Sequence, residues 1–229
     1  MYDNLVCHED YNNNIEKKIF SISKKSFVSA IDIGAGTGRL ASILSKSSLK
    51  IVAADLSFSM ISTFRNKTKT DNLEKKTYCI NADSLFLPFK QKSFDIAVSG
   101  WSICHIVKWN WPEWEKLLYS LFNSICKLIT SESNFIIFET LGTGYFEPGL
   151  KDEKLLKYYE FLQKNLGFTH SWIRTDYRFK NYEECRNCMC FFFGNNYFDE
   201  QIFPNIFKDE NNAFIVPECT GVWNFSNNQ

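Results

Sequence analysis

Five short apolar runs punctuate the first 140 residues: 30–33, 50–56, 77–83, 93–100 and 134–140. Each is four to eight residues long, and those at 30–33 and 50–56 have the pattern of strands buried in a parallel sheet. Segments with helical spacing separate them: Gly38 to Lys46, Ser57 to Lys67, and Pro112 to about Ile129. Pro112 stands near the first helical position, where its missing N–H costs nothing. A further helix carries Leu155, Leu156, Tyr159 and Leu162 and stops at Gly167. Strand and helix in alternation predict an α/β fold of βαβ units.

The last third reads differently. Trp172 to Phe179 and Ala213 to Phe225 alternate like strands, and Tyr182 to Phe193 is a very aromatic helix between them. About thirty residues, 180–212, form a long insertion between these two strands. Residues 1–26 are polar and helical, with Tyr2, Tyr11, Ile15 and Phe20 as inward contacts. The whole of 1–229 is expected to be one domain, with 1–26 as a helical lid.

The first run, Ala30-Ile31-Asp32-Ile33, breaks into Gly34-Ala35-Gly36-Thr37-Gly38-Arg39-Leu40. Glycine at alternate positions removes Cβ atoms and lets backbone N–H groups approach a ligand at a helix start. A dinucleotide fingerprint needs a third glycine where Arg39 stands. A P-loop fails too, since no Gly-Lys-Ser/Thr follows. The second run ends in Asp55, 21 residues after Gly34, where a carboxylate can accept two ribose hydroxyls or simply cap the next helix. Met60 falls one turn into that helix. The third run ends in Ala82-Asp83-Ser84, followed by Leu87-Pro88-Phe89, and Ser93-Phe94-Asp95 opens the fourth.

Asp-x-Gly-x-Gly-x-Gly at Asp32–Gly38 resembles motif I of the class I S-adenosylmethionine (SAM)-dependent methyltransferases. With Ala-Asp-x-x-x-Leu-Pro-Phe-x-x-x-Ser-Phe-Asp at 82–95, the chain looks most like the ubiquinone/menaquinone C-methyltransferase type. The resemblance is strong over residues 28–140 and weaker over 141–229. It implies a Rossmann-like, seven-stranded, mostly parallel doubly wound sheet with an antiparallel final strand. It also implies a SAM site made by Asp32, Gly34, Ala35, Gly36, Gly38, Asp55, Leu56, Met60, Ala82, Asp83, Ser84, Ser99 and Gly100. The glycine turn passes over the methionine part, Asp55 holds the ribose, and Asp83 accepts from the adenine amino group.

The fold places the transferred methyl beyond the fourth and fifth strands. Candidate acceptor contacts there are Trp101, His105, Glu139 and Tyr145, joined by Tyr11, Arg174 and Tyr177. His105 has the pKa range of a general base, although a sulfonium donor does not always require one. Trp101 either walls the cofactor site or takes a cation on its ring face. Arg174 suits a substrate carboxylate.

Lys+Arg and Asp+Glu both number 26. A neutral chain exerts no global pull on nucleic acid, which favours a small-molecule acceptor over tRNA or rRNA. A non-catalytic partner subunit of the same fold is the remaining alternative, and the intact glycine turn with its two acids argues against it. No run of 18 uncharged apolar residues is present, so no membrane span is expected. The polar start Met1-Tyr2-Asp3-Asn4 is unlike a signal peptide. With eight cysteines and no export signal, reduced thiols in a cytoplasm are expected. Cys185-x-x-Cys188-x-Cys190 invites a zinc reading, but a fourth ligand must come from Cys219 or His170. Buried thiols on a helix, with no metal, are the better reading.

Overall fold

Ala30, Ile31 and Ile33 are completely buried, because strand β1 (Ser29–Ile33) lies inside the sheet with neighbours on both sides. The structure, a computed structural model, describes residues 2–23 and 27–227, the Tyr2 side chain excepted. Met1 and residues 24–26 of the expected lid, and the inward contact expected of Tyr2, therefore lie outside the described residues.

The chain divides into two compact units. The larger comprises residues 19–139, 152–170 and 222–229. It holds β1, β2 (Lys50–Asp55), β3 (Thr77–Asn81) and β4 (Phe94–Gly100). These pair in parallel, with Ile31 beside Val52, Ala54 beside Ile80, and Ala30 beside Ile96. Strand β5 (Ile129–Thr143) joins β4 in parallel, with Val98 beside Ile136. Helices α3 (Arg39–Leu44), α4 (Phe58–Thr70) and α6 (Trp114–Leu128) connect the strands. In α6 the buried side chains are Trp114, Leu118, Leu121, Ile125 and Leu128, the 3–4 spacing of one helix face. Asp95 fixes the start of β1, accepting from the N–H groups of Val28 at 2.8 Å and Ser29 at 2.9 Å.

The full sheet runs β3-β2-β1-β4-β5-β10-β6, where β6 is Thr169–Arg174 and β10 is Glu218–Asn227. One of its seven strands is antiparallel, as the sequence predicts. The chain leaves the β3 edge and returns beside β1 as β4, so the strand order reverses between β1 and β4. Ligands of open α/β sheets sit at such a switch point, beyond the carboxyl ends of the strands.

Two late strands differ from expectation. The 172–179 run is split: β6 ends at Arg174, and β7 (Tyr177–Phe179) joins a separate three-stranded sheet, β7-β9-β8. There β8 is Phe207–Lys208 and β9 is Phe214–Val216. The 213–225 run likewise breaks at Pro217, whose missing N–H cannot continue a ladder, and β10 starts after it. Helix α5 (Ile103–Trp109) is an addition, lying in a stretch that reads from sequence only as the exit of β4.

The smaller unit comprises residues 1–18, 140–151 and 171–221. Helices α1 (Tyr2–Val6) and α8 (Tyr182–Phe193) and the small sheet enclose a core of its own. That core contains Leu5, Tyr177, Phe179, Cys185, Met189, Phe198, Ile202 and Val216.

Candidate active site

The glycine turn after β1 is held from below by the end of β2. The N–H groups of Gly34 and Ala35 both donate to the Ala54 carbonyl, at 2.8 and 3.0 Å. The Gly36 N–H donates to Asp55 Oδ2 at 2.7 Å. Asp55 Oδ1 accepts from the Ser57 N–H at 2.7 Å, so one carboxylate clips the turn to the entry of α4. Ser57 itself caps α4 by accepting from the Met60 N–H. Asn81 at the end of β3 fixes the same loop, donating to the carbonyls of Asp55 and Leu56. An ionised carboxylate has about four acceptor positions. Two on Asp55 are committed, which leaves capacity for the two hydroxyls of a ribose.

The three glycines do different work. A Cβ on Gly34 would lie 1.7 Å from Ser102 Oγ, so the turn after β4 packs directly on the turn after β1. A Cβ on Gly38 would lie 2.0 Å from the buried ring of Phe64. Gly36 alone opens on space, with nothing within 4 Å. A left-handed turn with one open glycine beside a half-committed carboxylate is a cradle that fits an adenosyl cofactor.

Asp32 lies 1% exposed beneath this turn. Its Oδ2 accepts from the Ala41 N–H in α3 at 2.8 Å, and its Oδ1 is buried with no hydrogen-bond partner. Burial raises its pKa to about 7, opposed by the Ala41 bond and aided by Asp55. The folded state therefore holds a proton that the unfolded chain releases near pH 4. The resulting stabilisation is complete below that pH and is lost as pH rises through 7. Asp32→Asn keeps an acceptor for Ala41 and does not titrate. Its stability relative to the parent should rise between pH 4 and 8, by at most roughly 4 kcal/mol. Urea unfolding at those two pH values checks this; an equal difference at both would show that Asp32 stays ionised.

The other expected cofactor contacts divide. Met60, Ala82, Asp83 and Ser84 are part-exposed, and Leu56 is exposed. Asp83 accepts from the Leu85 N–H at 2.9 Å and caps a short turn at Ser84–Phe86. Ala35 is buried in the cluster around Phe64. Ser99 is wholly buried, and its hydroxyl donates to the Ile33 carbonyl at 2.8 Å. A Cβ on Gly100 would meet Leu40 at 2.9 Å. Both are placed as packing positions that join β4 to β1 and α3.

Beyond β4, Trp101 adopts φ 50°, a left-handed backbone uncommon outside glycine and characteristic of functional turns. Arg39 places its guanidinium 4.5 Å from the Trp101 ring centroid. An intramolecular cation thus already uses the ring that sequence alone offers to a cationic substrate. His105 on α5 is solvent-accessible and stacks on Trp109, centroids 5.1 Å apart. Partial burial lowers its pKa; Lys108 adds to the effect and Asp55 opposes it. A neutral imidazole on this rim can accept a proton. Glu139 is 1% exposed at the end of the β5 stretch in this unit, and its Oε1 accepts from the Cys104 N–H at 3.0 Å.

The remaining candidates belong to the smaller unit. Tyr11 is exposed, with Arg178 5.8 Å from its ring. The Tyr145 ring fills the space that Cβ atoms on Gly142 and Gly149 would take. Arg174 is committed to Asp176 through two bonds of 2.7 and 2.8 Å, so its fork is not open to a substrate carboxylate. Tyr177 is buried in the unit's core, away from solvent. Among the described residues no three His, Cys, Asp or Glu side chains are grouped to hold a metal. Cys185 is buried, and burial pushes its thiol and that of Cys188 up to about 12 and 11. Arg39, Asn81 and Ser102 are contributors that sequence reading missed; only Asn81, at a strand end two residues before Asp83, carried a signal.

Comparison with known proteins agrees with this geometry. Residues 31–125 match the model of a methyltransferase domain family. The chain is 31% identical to the ubiquinone/menaquinone biosynthesis C-methyltransferase UbiE of Wigglesworthia glossinidia brevipalpis, across 50% of this chain and 46% of that protein. It is 32% identical to the human mitochondrial arginine-hydroxylase NDUFAF5 over 42% of this chain. That match covers only 26% of the human protein's length. A solved S-adenosylmethionine-dependent methyltransferase from Clostridium acetobutylicum superposes with a TM-score of 0.50 at 20% identity, covering 77% of this chain and 65% of its own, and shows the shared fold. Residues 31–125 thus match a methyltransferase domain family, on a fold shared with a solved S-adenosylmethionine-dependent methyltransferase.

Proposed function

We propose that the chain transfers the methyl group of SAM to a small-molecule acceptor, leaving S-adenosylhomocysteine, and that its two units work as one methyltransferase domain. The observation that carries the reading is the Asp55 clip: a carboxylate bonded to the Gly36 N–H beside the one open glycine of the turn. Asp55, the Gly36 turn, Met60 and Asp83 are the residues assigned to the cofactor. SAM supplies an already activated sulfonium methyl, so much of the rate comes from holding the acceptor in line. On the acceptor side Trp101 shapes the rim. His105 takes the proton of a hydroxyl or amine acceptor on its free imidazole nitrogen.

Equal numbers of acidic and basic residues support a small acceptor over a phosphate backbone. No helix among the described residues is long and apolar enough to cross a membrane. All eight cysteines are unpaired, which supports a reducing compartment such as the cytoplasm.

The test is methyl transfer from labelled SAM to a panel of phenols, amines, thiols and carbon acids. His105→Ala should lower turnover by about 10²–10⁴ on a protic acceptor, and Trp101→Ala should lower it too. SAM affinity should stay within about tenfold in both. Full turnover in both variants would move the acceptor site elsewhere.

A further inference from the structure

Helix α5 starts without a cap of its own. Its N-cap residue is Ser102, yet the Ser102 side chain makes no capping bond. The reason is geometric: that hydroxyl fills the space against Gly34 where a Cβ would stand. The first N–H groups of any helix need outside acceptors, and a buried one left unpaired is costly. Glu139 answers from the neighbouring strand, accepting from the Cys104 N–H at 3.0 Å. A carboxylate there also complements the positive end of the helix.

We propose that Glu139 is a positioning residue: as a cross-strand cap it fixes the first turn of α5 and thereby the place of His105. It is not a substrate contact. The assignment rests on the reading of His105 as an acceptor-side residue. The surroundings fit a structural acceptor rather than an open one. Glu139 is 1% exposed, and Tyr158 of α7 (Glu153–Lys164) and the Cys104 side chain face it. Lys108 of α5, a cation beside it, is itself paired with Asp152 at 3.4 Å. The next residue after the capped Cys104 is His105, whose ring stacks on Trp109 at the far end of α5. The geometry of that stack depends on where the first turn is pinned.

The chain has three histidines, so the His105 imidazole signals can be assigned by substitution and followed by NMR. Wild-type His105 should show the upfield ring-current shift of a ring stacked on an indole. Glu139→Met keeps the volume and removes the acceptor; it should move the His105 signals toward those of an exposed histidine. Glu139→Gln retains a carbonyl acceptor and should restore the wild-type shifts. Cys104→Pro removes the donated N–H while leaving the acid in place, and should reproduce Glu139→Met if that variant folds poorly. Unchanged His105 shifts in a folded Glu139→Met or Cys104→Pro variant would overturn the proposal, as would Glu139→Gln shifts equal to those of Glu139→Met. S-adenosylhomocysteine affinity, measured alongside, should stay within about tenfold of wild type. A wild-type protein that does not bind it would defeat the proposed function and leave the positioning result to be read separately.

Discussion

Gly38→Ala should cost about 2–5 kcal/mol of stability, while Gly36→Ala two residues earlier should cost about 1–2 kcal/mol and act on the cofactor instead. Both glycines are left-handed, at φ 86° and 55°, so each alanine pays the same kind of backbone strain. The surroundings separate them. A methyl at 38 meets the Phe64 ring at 2.0 Å, and Phe64 is completely buried among Ala41, Ile51, Ala53 and Ile61. That ring has nowhere to go, so overpacking adds to strain. A methyl at 36 meets nothing, so the fold survives, but the space it enters is the cradle. S-adenosylhomocysteine affinity should fall about tenfold or more in Gly36→Ala. Urea unfolding and calorimetry on both variants check this. Equal stability losses with unchanged affinity in Gly36→Ala would mean that the cradle is not the cofactor's.

Asp55→Ala should weaken S-adenosylhomocysteine binding by about 1.5–3 kcal/mol, roughly ten- to 150-fold. The carboxylate holds two backbone N–H groups as well as offering its remaining positions to the ligand. Asp55→Asn should do nearly as badly. Its amide replaces one acceptor by a donor, which must then face either the Gly36 or the Ser57 N–H. An Asp55→Asn variant with wild-type affinity would show that charge and double acceptance at this position are dispensable.

The parallel core was legible because its central strands, β1 and β4, are almost wholly buried, while β3 at the sheet edge is marked by the acid that follows it. The runs at 30–33, 50–56, 77–83 and 93–100 needed no tertiary information, and Asp55 and Asp83 announce themselves at strand ends. The last third was harder, because strand breaks there are made by partners. Pro217 marks one break, but only the pairing of Tyr177 with Val216 reveals that β7 and β9 belong to another sheet. The acceptor rim was least legible. Arg174 looks like a free cation until Asp176, two residues on, is seen to occupy it. Trp101 looks like an open ring until Arg39 is placed over it. Glu139 reads as a polar group at a strand end; only the Ser102–Gly34 packing explains why α5 needs it.

The central claim is that residues 31–125 bind an adenosylated sulfur cofactor through the turn at Gly36 and Asp55. Isothermal titration of the purified chain with S-adenosylhomocysteine tests it most directly. One site per chain is predicted, with a Kd between about 1 μM and 1 mM, the span typical of enzyme ligands, and no heat from NAD or ATP under the same conditions. Binding of NAD or ATP in place of S-adenosylhomocysteine, or S-adenosylhomocysteine binding that survives Asp55→Ala undiminished, would contradict it.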